Sequence, residues 1–330
     1  MYGKCGCVED AAEVFSGIDQ PNQFSWNIYL QAYAENGHID SARKIFLQME
    51  ERDSVSWNCL TAAFVQGSHL EDAKSCFDRT PQWNVFSWNA MITAMAFRGH
   101  LEEAKNLFDL AGHRDGVTWN AILTGYARHG YCDQASDLYN RMNHWDLVSQ
   151  TTMIQAYAQT GDLENARSIF DSMPLRDVVS WNSIVGGYAH NGHCGLAMEF
   201  FRAMVQEGFQ PTELAFGSIL SGCNHAGLVR DGCQHFVAMI ADYQVAPLRE
   251  HFCCLIDLLG RAGELEEAEG MIAQMPHAPD SIAWGTLLAA CHIHPDLDRA
   301  ARAADRMFEL DPPGEAGPFV LLANIGRSFE

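Results

Sequence analysis

The residues best equipped for chemistry in this 330-residue sequence are its 11 cysteines and 14 histidines. Cysteines at C-x-x-C spacing hold zinc, and in secreted chains paired cysteines form disulfides. No C-x-x-C occurs; the only close sets are Cys5/Cys7 and Cys253/Cys254, and the rest are scattered. They read as free thiols packed as small hydrophobes in a reducing compartment. Several histidines (His38, His100, His129 and His193) stand beside a glycine, as turn residues do. No phosphate loop, nucleophile elbow or H-E-x-x-H is present. The expectation is a chain with no catalytic residues, no metal site and no cofactor.

What recurs instead is a polar side chain at fixed spacing. Trp26-Asn27, Trp57-Asn58, Trp88-Asn89, Trp119-Asn120 and Trp181-Asn182 place successive asparagines 31, 31, 31 and 62 residues apart. One unit is hidden in the last gap, where Gln150-Thr151 fills the slot and Tyr157-Ala158 and Gly161 follow. A fixed period of this size marks a repeat architecture. Each unit reads V-S-W-N, an apolar pair, Y-A, a glycine, L-E-x-A and a closing F-x-x-M.

Two helices per unit must position that asparagine. With it numbered position 5, position 3 is Ser25, Ser56, Ser87, Thr118, Ser149 or Ser180, suited to capping a helix that begins there. Trp26, Leu30 and Tyr33 then share one face. A glycine near position 15 (Gly37, Gly67, Gly99, Gly130, Gly161, Gly192) ends the helix. The second helix carries Ala at position 20 (Ala42, Ala73, Ala104, Ala135, Ala166, Ala197). An aromatic follows at position 24 (Phe46, Phe77, Phe108, Tyr139, Phe170, Phe201), and often Met at position 27. Helices of about 11 residues, about 17 Å long, cannot bury their apolar faces alone, so neighbouring units must stack. The fold class is an all-α solenoid.

The alternation of W-N, Y-A-x-x-G, A-x-x-x-F and M-P/R-D resembles pentatricopeptide repeats, in the plant variety that mixes 31-residue motifs with longer ones. That resemblance implies a right-handed superhelical solenoid of helix-turn-helix units, and it extends over nearly the whole chain. Residues 1–22 resemble the back part of a repeat, so the chain is expected to begin inside one. Five 31-residue short motifs follow at 23–53, 54–84, 85–115, 116–146 and 147–177. A 35-residue P-type motif spans 178–212, an L-type motif 213–248 and an S-type motif 249–280. Residues 281–314 resemble an E1 extension, and 315–330 an E2-like motif that breaks off early.

In that family two side chains per repeat meet a base, at position 5 and at the repeat's last residue. The resemblance therefore implies base-reading pairs Asn27/Asp53, Asn58/Asn84, Asn89/Asp115, Asn120/Asp146, Thr151/Asp177 and Asn182/Thr212. Asp offers only acceptors, suiting the imino N–H of U or G, whereas Asn can donate to the ring nitrogen of C or A. Family usage adds pyrimidines for Asn at position 5 and purines for Thr or Ser, giving U, C, U, U, G and a pyrimidine, 5′ to 3′. The apolar residues at position 2 (Phe24, Val55, Phe86, Val117, Val148 and Val179) are implied to wedge between bases. The bland alternative makes the asparagines capping residues and position 2 ordinary core. Gly217 and Cys253 depart from the pattern at position 5. Lys4, Arg128 and Arg261, at position 13, are candidates for phosphate contacts.

The formal net charge of −21 runs against a basic footprint. Many of the acids begin second helices, as in Glu71-Asp72, Glu102-Glu103 and Glu266-Glu267, where carboxylates favour the helix N-terminus on a solvated face. Many relatives end in a zinc deaminase that needs H-x-E and P-C-x-x-C; neither motif is expected here. The expected function is therefore sequence-specific binding of single-stranded RNA in an organelle, the mitochondrion or alternatively the chloroplast, with no targeting segment in these residues. The motif order points to C-to-U editing with a deaminase supplied in trans through the C-terminal E-like region. Alternatives are a transcript stabilisation, processing or splicing factor, a tetratricopeptide-like protein scaffold, and a fragment of a longer gene product. No apolar run of about 18 residues suggests a membrane span.

Overall fold

In the computed structural model, residues 8–310 are described. Among them are nineteen helices and no strand. The first helices of the repeats are α2 (Gln23–Glu35), α4 (Ser54–Gln66), α6 (Val85–Phe97), α8 (Gly116–Arg128), α10 (Leu147–Thr160), α12 (Val178–His190), α14 (Glu213–Ala226), α16 (Arg249–Ala262) and α18 (Ser281–Ile293). The second helices are α1 (Val8–Ser16), α3 (Ile39–Gln48), α5 (Leu70–Asp78), α7 (Leu101–Leu110), α9 (Cys132–Arg141), α11 (Leu163–Ser172), α13 (Cys194–Gln206), α15 (Val229–Ala241), α17 (Leu265–Ala273) and α19 (Leu297–Leu310). The chain forms two compact units that divide between residues 156 and 157.

Each unit is an α-solenoid. First helices pack on first helices, as α2 on α4, α4 on α6 and α6 on α8 in one unit, and α12 on α14, α14 on α16 and α16 on α18 in the other. Small residues set that spacing: a Cβ added at Gly125 would lie 2.5 Å from Ala96 Cβ, too close to tolerate. Second helices supply the rest of the core. Ala42, Ala73, Ala104, Ala135, Ala166 and Ala197 are fully buried, as their stripe predicts. The position-24 ring meets the next repeat's tryptophan edge to face: Phe46–Trp57 at 4.7 Å, Phe108–Trp119 at 4.8 Å and Phe170–Trp181 at 4.7 Å between centroids. Such pairs contribute about 0.5–1.5 kcal/mol beyond burial.

The first helices begin two residues earlier than position 3 suggests. Each starts at position 1, and the residue that caps it is the closing residue of the preceding repeat. Asn22, Asp53, Asn84, Asp115, Asp177, Thr212 and Asp280 all accept the N–H of position 3 with their side chains. The Ser or Thr at position 3 is the second half of a capping box in the Asn84/Ser87, Asp115/Thr118 and Asp177/Ser180 pairs. Asp and Asn cap about equally well, which is why either can stand there.

The turn glycines mostly behave as expected, with φ near +80° at Gly99, Gly130, Gly161 and Gly192. The repeat 54–84 differs. Gly67 ends α4 with φ −78°, and Ser68 takes the left-handed turn at φ +70°. The sequence there reads Gln-Gly-Ser-His, one residue out of phase with the other turns.

The penultimate position of each repeat carries a second regularity. Arg52, Arg114 and Arg176 donate Nε–H to the carbonyls of Phe46, Phe108 and Phe170 and lie over the same rings. Trp83 and Trp145 occupy the equivalent place, donating Nε1–H to Phe77 and Tyr139 and stacking on those rings. A planar group with one well-placed N–H satisfies the helix C-terminus whether charged or neutral.

Candidate nucleic-acid interface

Capping brings the sequence-distant pairs together. Asn27 Nδ2 donates to Asp53 Oδ2 and Oδ1 at 3.1 and 3.3 Å. The corresponding bonds are Asn58 to Asn84 Oδ1 at 3.3 Å, Asn89 to Asp115 Oδ1 at 3.1 Å, Asn120 to Asp146 Oδ2 at 2.8 Å and Asn182 to Thr212 Oγ1 at 2.9 Å. These five pairs are thus in hydrogen-bond contact. Thr151 is buried, and Asp177 caps α12. The asparagines at position 5 lie within the helix, one turn beyond the cap, so they are not capping residues.

The next repeat's position 3 reaches the same slot. Ser87 Oγ donates to Asn58 Oδ1 at 2.7 Å and Thr118 Oγ1 to Asn89 Oδ1 at 2.6 Å. With the amide oxygen held there, the amide nitrogen must face the closing residue. Asn120 Oδ1 and Asn182 Oδ1 are buried without such a partner; Ala215, at position 3 after Asn182, has no hydroxyl to offer.

In two repeats the closing side chain is oriented just as strictly, whereas Asp53 and Asp146 have both oxygens engaged. Every hydrogen bond on the Asn84 amide falls on Oδ1, from Ser87 N and Asn58 Nδ2, and leaves Nδ2 free. In Asp115 the same two bonds fall on Oδ1, from Thr118 N and Asn89 Nδ2, and leave Oδ2 free. The cap therefore turns one end of each side chain inward. Outward it presents a donor from Asn84 and an acceptor from Asp115. Burial pushes the Asp53, Asp115 and Asp146 carboxyls up, but the bonds from the capped helix and the position-5 amide outweigh it and hold each pKa below the ordinary 3.8. At neutral pH these groups are ionised and accept only.

Position 2 is not core. Phe24, Val55, Phe86, Val117, Val148 and Val179 are between 51 and 72% exposed. A row of exposed apolar side chains at helix starts, each beside a polar pair, is the composition of a stacking surface. Of the position-13 cations, Lys4 lies outside the described residues. Arg128 places its guanidinium over the exposed Phe97 ring at 4.0 Å, at the rim of a pocket of about 230 Å³ that also includes Val117 and Asn120. Arg261 donates to the Asn224 carbonyl at 3.3 Å. Sequence reasoning passed over the Phe97–Arg128 stack, whose only signal is an aromatic and a cation 31 residues apart.

Two H-x-E triplets do occur, His69–Glu71 and His100–Glu102, but they start second helices. His69 and His100 are the N-cap residues of α5 and α7 and approach Asp72 and Glu103. Among the described residues, no group of three or more His, Cys, Asp or Glu side chains is arranged to hold a metal ion, and no helix is long and apolar enough to cross a membrane.

Stacked helix pairs, five of the repeats carrying a hydrogen-bonded polar pair beside an exposed apolar residue, define an α-helical repeat protein. The PPR repeat model matches residues 24–54, 55–85, 86–111, 117–147, 151–178 and 250–278, and that of the PPR repeat family matches 176–225. The chain belongs to the pentatricopeptide repeat family. The pentatricopeptide repeat-containing protein At2g13600 of Arabidopsis thaliana is 46% identical over 129 residues, which is 39% of this chain and 18% of that protein. The chloroplastic protein CRR2 of the same plant is 43% identical over 129 residues, again 39% of this chain and 20% of the relative. The chain therefore aligns with about a fifth of the length of these relatives. The fold is also that of the maize protein PPR10 in its complex with an 18-nucleotide psaJ RNA element, at a TM-score of 0.66 and 17% identity, covering 99% of this chain and 56% of PPR10.

Proposed function

We propose that this chain binds single-stranded RNA in a sequence-specific manner, one base to each repeat from 23 to 212. The observation that carries this reading is the opposed outward chemistry of Asn84 and Asp115 on an otherwise identical cap. Unpaired bases expose the edges that such groups recognise, and the position-2 residues offer the apolar wedge between successive bases. The RNA-bound structure of PPR10 supports the class of ligand. The pairs favour UCUUGY, with Asp acceptors meeting U or G and Asn84 donating to C.

The finer reading is a site-recognition factor for C-to-U editing, with the deaminase supplied in trans. It rests on the order of short, long and E-like motifs, residues 281–330 being the region for partner recruitment. The relatives named mitochondrial and chloroplastic support an organellar location. Gel-shift titration at stated salt, with UCUUGY, its complement and the duplex, tests the binding. The expected order is UCUUGY strand above complement above duplex, and equal affinity for a scrambled RNA removes base reading. Incubating the chain with target RNA and zinc tests the editing role: conversion should require an added deaminase.

A further inference from the structure

The repeat 213–248 keeps the frame of its neighbours but not the slot. Its position 5 is Gly217, and its closing residue is Leu248, which has no polar side-chain atom to offer. At position 3 of the next repeat stands His251, where the repeats from 23 to 212 have Ser or Thr. Its ring is only 2% exposed. His251 Nδ1 accepts the Leu248 N–H at 2.9 Å, so Nε2 carries the proton and donates to the Glu213 carbonyl at 2.8 Å. A Cβ built on Gly217 would lie 3.4 Å from Nε2 and 3.6 Å from Cδ2 of the same ring. The imidazole therefore fills the space that a position-5 amide occupies elsewhere. It does the work of the position-3 hydroxyl toward the cap and ties α16 to α14 as well.

We propose that His251 is a specificity-determining plug, which makes repeat 213–248 blind to base identity and ends the reading surface at Thr212. This rests on the RNA-binding reading above. The position-2 residue, Leu214, remains 72% exposed, so the repeat keeps its stacking element and passes a nucleotide without reading its edge. A slot with neither amide nor acceptor has nothing to pair differentially with the four bases. The following slot is altered too: its position 5 is Cys253, and Asp280 Oδ2 is engaged by Arg249 Nη1 at 2.9 Å.

The test is a base scan on a seven-nucleotide core, UCUUGYN, by competition binding with all four bases at each position. For the native chain, the six UCUUGY positions should each discriminate several-fold, and the seventh by less than about twofold. Loss of discrimination at all seven positions sinks the RNA-reading proposal itself. Discrimination at the seventh comparable to the others sinks the plug alone. The triple substitution Gly217→Asn, Leu248→Asp and His251→Ser rebuilds the constellation of the reading repeats. It should gain preference for U at position seven of several-fold to about tenfold, roughly 1.4 kcal/mol at the upper end. A triple variant that is folded, still reads the first six bases and gains nothing at the seventh overturns the assignment to His251. If the triple variant does not fold, the native seventh-position scan still decides.

Discussion

Repeats 54–84 and 213–248 share helix phase, cap position and exposed position-2 residue, yet differ in every group that could touch a base edge. In the first, Asn58, Asn84 and Ser87 form a closed hydrogen-bonded set with one donor left over. In the second, Gly217, Leu248 and His251 form a set with nothing left over. The lesson is that scaffold and slot are separable. A polar side chain in a repeat is available for recognition only to the extent that folding has not already used its hydrogen bonds.

The largest expected effect tests the structural cost of each arrangement. His251→Ala removes a buried ring and two hydrogen bonds, and should destabilise by about 2–4 kcal/mol. Ser87→Ala removes a smaller group and should cost about 1 kcal/mol. Native-state hydrogen exchange at α16 and α6 gives both values; equal costs would mean that His251 is no more integral than a hydroxyl. The turns offer a reciprocal pair. Gly227 in the second repeat has φ +67°, and Ser68 in the first has φ +70°. Gly227→Ser should destabilise, and Ser68→Gly stabilise, by about 1 kcal/mol each, read as opposite shifts in denaturation midpoint.

Smaller effects isolate recognition. Asn84→Asp exchanges one good cap for another, so stability should change by less than about 0.5 kcal/mol. The preference at the second base should nevertheless move from C towards U by several-fold to about tenfold, because a good base contact is worth about 1–3 kcal/mol and an exposed one falls at the low end. The added charge should weaken all RNAs somewhat, so the U/C affinity ratio is the quantity to measure. Equal weakening of both would make Asn84 a cap and nothing more. Last, the depressed pKa values of Asp53, Asp115 and Asp146 mean that each contributes stability above the unfolded carboxyl pKa. That contribution is lost as pH falls through the lower, folded value. Amide protection at the start of α8 should drop in acid, and Asp115→Asn should flatten the dependence.

Much of the scaffold was legible because burial is periodic. The Ala and aromatic stripes of the second helices and the Trp of the first follow from spacing alone, and the structure buries Ala104, Phe108 and Trp181 as that spacing requires. The helix start was misplaced by two residues because Ser at position 3 resembles an N-cap, when the true cap lies in what looks like the previous repeat. Gly67 ends α4 as its position suggests, but the left-handed residue of that turn is Ser68, which the sequence does not single out. The slot of repeat 213–248 was illegible for another reason. Gly217 and His251 are 34 residues apart, and only packing α14 against α16 shows that the imidazole lies beside Gly217. At position 13 the sequence offers Arg128 as a candidate phosphate contact but not its stacking on Phe97, a neighbour that no single repeat reveals.

The double duty of the closing residue has an evolutionary consequence. Because Asp and Asn hold the helix start about equally well, the proposed base reading lets a lineage exchange one letter of its target for another without passing through a less stable ancestor. Mutations at these positions are screened almost wholly for what they bind, and hardly for whether they fold. His251 is the opposite case: buried and hydrogen-bonded to both α14 and the cap of α16, it cannot change without cost, so on the proposed reading a silent repeat should stay silent long after its neighbours have drifted to new targets.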